Sequence, residues 1–405
     1  MAVTVVNPNG HRSLEPVYKG EERIMFSSMQ YYIASLLYVV TFSCIMYLHN
    51  PYLMIFVTYS LIPFLDSYFS FDLRNPTKEE QKQLEGKLRF KLPLYLAVIT
   101  EWIFQTWVLY YVTQNRQNLS LFNIIGIMFI SGNGSTSNIN VAHELFHKTG
   151  WLDKFLGTFT LAKNLYMHFT IEHQYGHHRN VSTPDDPATS RYGQTVFEFF
   201  PQTIIGSYFS AWKIENNFQR LKGRHPFNPQ NKMIIYTILH FVIPYIHYLI
   251  FGLYGMFFFL CTAFISVIYL EAINYIEHYG LRREKTEDGH YEKIDIRHSW
   301  NAPHRFSNYL LFKLQRHSDH HENGYKEYQT LCSYPDSPTL PHGYTVCVVI
   351  SFYPPLWFEI MHEVLESYKK EKKSIPLPSI DKKINNYIKK VSLITMTLSV
   401  LSFFI

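Results

Sequence analysis

Four short windows of the chain concentrate imidazoles at spacings that suit metal binding. N-V-A-H-E-L-F-H-K places His143 and His147 at i and i+4, one helical turn apart. I-E-H-Q-Y-G-H-H carries His173, His177 and His178, and N-Y-I-E-H-Y-G-L carries His278. L-Q-R-H-S-D-H-H puts His317, His320 and His321 at i, i+3 and i+4, so three rings share one face if the segment is helical. On an ideal helix His173 and His177 stack one turn apart and His178 is turned away by about 100°, where it would serve a second metal.

H-E-L-F-H by itself fits a zinc-protease pattern, but such a site needs only one further ligand and this chain offers seven. Nine neutral nitrogen donors exceed what one zinc takes, so two metals are implied, with iron, copper and zinc all compatible with imidazole. Histidine-only ligation leaves the metals' positive charge in place. Glu144, Glu172, Glu277 and Asp319 each adjoin a candidate ligand and suit an outer shell that offsets this charge and orients the rings. His168 and His298 lie near enough in sequence to be further outer-shell candidates. Desolvating so many imidazoles without a ligand would be costly, which argues against plain helix-surface histidines. His278 alone would read as a buried structural histidine, but its position along the chain argues for the metal site.

That position follows from the elements that must carry these windows. An uncharged apolar run at 31–48 and a second apolar run at 52–69 are each near the ~20 residues a helix needs to cross a bilayer, and they flank an Asn50-Pro51 turn. Further spans are expected at 92–112, at 121–143 through a Gly/Ser/Asn-rich stretch, at 233–250 and at 253–277, the last two joined at Phe251-Gly252. Glu101 interrupts the third and should face the bundle interior. Six spans place the segments after the fourth and sixth on one side, so all four windows emerge together. The opposite turns hold only Arg116 among basic residues, which makes the histidine side cytoplasmic, or matrix-like in an organelle.

The fold expected is therefore all-α and integral to the membrane, multi-pass, with six transmembrane helices and a cytoplasmic-side helical cap holding a dimetal site. A polar segment at 1–27 precedes a membrane domain at 28–366. A tail at 367–405 follows, with eight lysines between 369 and 390 and an uncharged run at 391–405 that is short for a span and suits interfacial attachment or partner packing.

Composition agrees: 47% hydrophobic and 17% aromatic residues, with a mean hydropathy of only −0.10, require the polar residues to sit in separate blocks. A net charge of +5 without clustered Arg and Lys on a soluble scaffold excludes nucleic acid as a partner. Cys44, Cys261, Cys332 and Cys347 form no C-x-x-C pair, so neither a disulfide framework nor an internal rubredoxin-type iron site is expected. The polar first 25 residues carry no evident secretory signal.

At these residues the chain resembles the integral-membrane alkane monooxygenase (alkane hydroxylase) family, within the wider membrane fatty-acid desaturase and hydroxylase superfamily. The four histidine windows match that family's motifs. The similarity also takes in T-P-D-D-P-A-T-S-R-Y-G at 183–193, S-W-N at 299–301 and Y-Q-T-L at 328–331, and it runs from about residue 30 to 365. The related fatty-acyl desaturases normally carry H-x-x-H-H boxes, whereas three residues separate His173 from His177 here. The resemblance implies a non-haem di-iron enzyme that uses O2 to hydroxylate the terminal methyl of linear alkanes or alkyl chains. Rubredoxin and its NAD(P)H-dependent reductase would supply the electrons as separate proteins. It implies two Fe held by His143, His147, His173, His177, His178, His278, His317, His320 and His321, and the adjoining Glu144, Glu277 and Asp319 remain the outer-shell candidates that their positions suggest. A fatty-acyl desaturase or hydroxylase, a non-catalytic subunit of a membrane complex that keeps this fold, and a metal transporter are the competing readings, and the last would place its ligands near the bilayer midplane.

Overall fold

The computed structural model describes residues 2–6, 12–16, 28–69 and 71–405. The polar segment expected at 1–27 lies outside the described residues except for strands Ala2–Val6 and Arg12–Pro16, which pair antiparallel with Val3 opposite Glu15. The remainder is helical.

After a 3-10 turn at Gln30–Tyr32, helix α1 (Ile33–Met46) leads through Pro51 into α2 (Tyr52–Phe69), which contains a π-turn at Val57–Leu61. The charged linker forms a short α3 (Lys78–Leu84), started by a capping box between Thr77 and Glu80. The long helices α4 (Leu88–Gln114) and α5 (Leu121–His147) follow. Next come α6 (Trp151–Ala162), α7 (169–180) and α8 (Val196–Leu221), the last begun by a second capping box from Thr195 to Glu198.

Helix α9 (Lys232–His278) has 47 residues, but Gly252 breaks it with φ 69° and ψ −175°, a conformation only glycine adopts readily. The chain doubles back there: His247 stacks on Phe259, with ring centroids 3.9 Å apart, although an unbroken helix would hold residues 12 positions apart about 18 Å from one another. Met233 and Leu270, near the far ends of the two arms, share one core cluster. The uncharged Phe251-Gly252 pair is thus a hairpin turn.

Three helices among the described residues are long and apolar enough to cross a membrane, α2, α4 and α9, and Gln30–Met46 is a shorter apolar one. α5 is about 40 Å long at 1.5 Å per residue but less apolar, because its interior is built from Gly, Ser, Thr and Asn. These small residues admit neighbours. A Cβ on Gly132 would lie 2.6 Å from Ile265 of α9, and one on Gly126 would lie 2.7 Å from Tyr52 of α2. The polar ones join helices: Asn138 donates to the Ala97 carbonyl (3.1 Å), Asn133 to the Tyr59 hydroxyl (2.6 Å), and Gln105 of α4 to the Ser131 carbonyl (2.8 Å). Glu101 does face the interior. It is fully buried, pairs with Lys163 and accepts a hydrogen bond from Ser135 Oγ at 2.8 Å.

After α9 the chain forms a cap with α10 (Arg305–Leu310) and α11 (His317–Glu322), then α12 (Tyr344–Ser351), α13 (Pro354–Glu371) and α14 (Pro378–Leu401). The lysine-rich and apolar end, expected at the interface or on a partner, packs on the chain's own α2. Asn50 donates to the Ser399 carbonyl (2.7 Å), Ser399 Oγ to the Tyr52 carbonyl (2.8 Å), and Ser60 and Thr395 hydroxyls meet at 2.8 Å. Such hydroxyl and amide contacts hold two apolar helices together where hydropathy gives no signal.

Candidate metal centre

Four elements from distant parts of the chain deliver the nine histidines to one end of the bundle. α5 ends in His143 and His147, and the second arm of α9 ends in His278. α7 and α11 cross between them. α11 is only six residues long and is fixed by its flanks: Arg316, fully buried, donates to the Leu331 carbonyl (2.6 Å) and the Asp72 carbonyl (2.9 Å). Asn301 accepts from Ser318 N (2.9 Å) and donates to Ser318 Oγ (2.8 Å).

The rings form two groups that could each hold a metal ion, with the ligand atoms of each group lying within 4.8 Å of one another. One comprises His143, His147, His173, His178 and His320, and the other His177, His278, His317 and His321. In the first, Nε2 of His143 lies 2.8 Å from Nε2 of His173, which is 3.1 Å from Nε2 of His178, itself 3.0 Å from Nε2 of His320. In the second, Nε2 of His317 lies 3.3 Å from that of His278 and 3.0 Å from that of His321. Two nitrogens each about 2.1 Å from one ion, at 90–109°, are about 3.0–3.4 Å apart, so these separations are close to edges of a coordination polyhedron. Nε2 of His147 and of His177 are buried without any hydrogen-bond partner. A neutral imidazole has one N–H, so hydrogen bonding among the rings cannot satisfy all of the convergent nitrogens, and shared cations can. The donor set therefore fits two metals.

Burial, reinforced by the neighbouring rings, holds His173, His178, His317, His320 and His321 well below the ordinary imidazole pKa, leaving each neutral with a lone pair to give. The four-histidine group is buried throughout, while His147 and His178 open one edge of the five-histidine group.

The division differs from ideal-helix spacing. His173–His177 is a π-turn, so one residue is added to the turn and His173 meets His178, five positions on. His177 is thereby sent to the other group. Within α11 ordinary spacing holds: His317 and His321 share the four-histidine group and His320 joins the other.

The expected carboxylates do different things. Glu277 is the one that reaches a ligand ring, its Oε2 lying 3.3 Å from Nε2 of His317. Glu144 accepts from Lys148 (2.8 Å) and from Tyr328 N (3.2 Å). Glu172 accepts from Ser210 at 3.3 Å. Asp319 takes Lys326 (2.8 Å) and Cys332 N (2.7 Å), so it braces the loop beyond α11. His168 stands apart, ringed by Tyr166, Tyr208 and His240, and His298 pairs with Glu292 (3.1 Å) and Asp295 (3.2 Å). The residue that sequence reading missed is Asp186. Its Oδ2 lies 2.9 Å from Nδ1 of His177 and accepts from Thr189 Oγ1 at 2.5 Å, while Oδ1 accepts from Ala188 N at 3.0 Å. Burial alone would raise its pKa, but His177, Thr189 and the nearby His278 hold it below the usual carboxylate value. The D-D-P-A-T run is a local sign of an Asp closing a turn; nothing in it points to a histidine nine residues earlier.

Comparison with known proteins agrees with this geometry. Residues 120–331 match the fatty acid desaturase family. The chain is 36% identical over 316 residues to alkane 1-monooxygenase of Acinetobacter baylyi, covering 78% of this chain and 77% of that one. It is 38% identical over 328 residues to alkane 1-monooxygenase 1 of Pseudomonas aeruginosa, covering 78% and 83%. It is also 30% identical over 244 residues to the xylene/toluene monooxygenase hydroxylase component of Pseudomonas putida, covering 59% and 62%.

Proposed function

The chain belongs to the alkane 1-monooxygenase family of the fatty acid desaturase superfamily, and from that membership we propose that it hydroxylates the terminal methyl of a linear alkane or alkyl chain with O2 at a non-haem di-iron centre. The observation that carries this reading is the convergence of nine imidazoles, seven of them buried, into groups of five and four. We take all nine as iron ligands. Bound iron would supply the O2 reduction and C–H oxidation that no side chain can perform.

The chain's own residues prepare the site. The neutral rings present Nε2 lone pairs inward. Asp186 accepts from Nδ1–H of His177, which fixes that ring's tautomer and orientation and makes Nε2 the more basic nitrogen. Asp186 and Glu277, both buried beside the four-histidine group, offset part of the charge that imidazole ligands leave uncompensated. Terminal C–H bonds are intrinsically the harder ones to break, so selectivity has to come from geometry, with the chain end admitted between the helices and the rest held back in lipid.

Six spans, namely α1, α2, α4, α5 and the two arms of α9, would carry the site in the membrane. The distribution of basic residues supports a cap on the cytoplasmic or matrix-like side. With no cysteine pair to hold an iron of its own, the chain would receive electrons from rubredoxin and its NAD(P)H-dependent reductase. Xylene and toluene, named for one relative, carry a methyl group, as does the C1 end of a chain alkane such as the others' names imply, which supports methyl oxidation over chain desaturation.

The test is the recombinant full chain in membranes, supplied with rubredoxin, reductase, NADH and octane. It should form 1-octanol only when every component is present. A protein with its full complement of iron that makes none would overturn the assignment, and one zinc per chain without iron would point to a hydrolase.

A further inference from the structure

A cavity of about 470 Å³ lies between α8 and the two arms of α9, beside the loop that leads into α7. It is within the size range of small-molecule sites, about 300–1,000 Å³. Its wall is mostly apolar, and three rim residues are largely exposed: Phe209 (65%), Phe264 (63%) and Ile205 (56%). At the other end stand His168 and His240, whose rings face each other nearly at right angles with centroids 6.3 Å apart.

The polar groups around these two histidines are largely spoken for. Tyr166 donates to Glu271 (2.7 Å) and Tyr208 pairs with Thr237 (2.8 Å). Three ring nitrogens are not: both of His168, which is 97% buried, and Nε2 of His240. The other nitrogen of His240 engages the Leu165 backbone, which leaves Nε2 as a bare acceptor. Burial keeps His168 neutral, its pKa pushed down to about 3, so it offers one N–H and one lone pair. Unmet buried polar groups of this kind are costly to the empty site.

Among the described residues no lysine, arginine or carboxylate lines the cavity. A carboxylate ligand would therefore be a buried charge with no counter-ion, and it could not donate to His240. An alkane would leave every nitrogen unmet. A hydroxyl both donates and accepts, so it can take N–H from His168 and give O–H to Nε2 of His240.

We propose that this cavity is a second ligand site that takes a long-chain primary alcohol, its hydroxyl bridging His168 and His240 and its chain lying toward Phe209 and Phe264. The hydroxylase reading enters only in naming one source of such an alcohol, the enzyme's own product; a membrane-resident monoacylglycerol offers the same primary hydroxyl.

The iron-loaded full chain in detergent, kept anaerobic and without electron donor, is photolabelled with 1-hexadecanol bearing a diazirine at its far end, and the adducts are mapped by peptide mass spectrometry. Labels are expected within 204–209 and 260–267, displaced by 1-hexadecanol at least about tenfold more effectively than by hexadecane or hexadecanoate. His168→Leu and His240→Leu should each lose at least about tenfold in labelling with iron content unchanged, and Ile205→Trp, which blocks the mouth without touching either ring, should do the same. Stronger displacement by 1-monooleoylglycerol than by 1-hexadecanol supports the site with a membrane source, and the reverse supports it with the product as source. Equal displacement by hexadecane, or labelling indifferent to all three substitutions, overturns the proposal. Failure to make 1-octanol in the separate turnover assay would refute the hydroxylase reading and leave the binding result standing.

Discussion

Asp186 and His177 are joined by a 2.9 Å contact between Oδ2 and Nδ1, both side chains buried, although one lies in a loop and the other at the end of a π-turn. That contact lets a carboxylate set the tautomer of His177, with the proton on Nδ1 and the lone pair on Nε2. Asp186→Asn keeps the shape and removes the charge. It should weaken metal binding at the four-histidine group by about 10–100-fold and leave the five-histidine group occupied. Titration with a chelator, following metal released per chain, would register this as an early step of one equivalent; a release curve identical to the parent's would mean that Asp186 is not a supporting residue.

The two groups predict different losses for neighbouring histidines of α11. His317→Ala removes a donor from the four-histidine group, His320→Ala from the five-histidine group. Each should lower bound iron from about two per chain toward about one, and the doubly substituted chain should hold almost none. Elemental analysis of purified protein decides it. Two irons retained in either single variant would break the assignment of that ring.

His342 lies outside the metal centre and predicts a pH dependence of stability. Its Nδ1 accepts from Gly343 N at 2.8 Å and its Nε2 pairs with Ser67 Oγ at 3.0 Å; burial pushes its pKa down to about 4. The folded protein thus keeps this ring neutral while the unfolded chain protonates it below about 6.5. Unfolding then takes up a proton, so stability is full above about 6.5 and falls as pH drops toward 4, by up to ~1.4 kcal/mol per pH unit for this one group. Thermal unfolding of the parent and of His342→Gln in detergent at several pH values between 7 and 4.5 should show a shallower acid loss in the variant. Parallel curves would remove His342 from the account.

Helix α14 contributes to the bundle through Asn50, Ser60, Ser399 and Thr395. Ending the chain at 377 uncovers the buried face of α2 and leaves the Asn50 amide without its Ser399 acceptor, so the truncated protein should melt several degrees lower, from a loss of at least ~1–3 kcal/mol for the amide alone. Ser399→Val should reproduce part of that drop. A truncated protein as stable as the parent would show that the helix is only attached.

How much of this was legible beforehand depends on the range of the interaction concerned. The identity of the nine histidines, the placement of their windows at one end of the bundle, the burial of Glu101 and the turn at Gly252 follow from local spacing, apolar run length and the cost of charge in lipid. These are properties of a few adjacent residues or of span counting. The partition of the rings did not follow, because spacing on an ideal helix assigns His173 with His177, whereas the π-turn pairs His173 with His178. Whether a turn gains that extra residue is decided by what packs around it. Asp186 was invisible for the same reason: its partner is fixed by the path of a loop. The tail reads as an appendage because its lysines mask a face that only α2 reveals. Sequence by itself determined which residues offer metal-binding nitrogens; tertiary structure decided which of them are grouped together, because that depends on ring directions set by contacts between segments far apart in the chain.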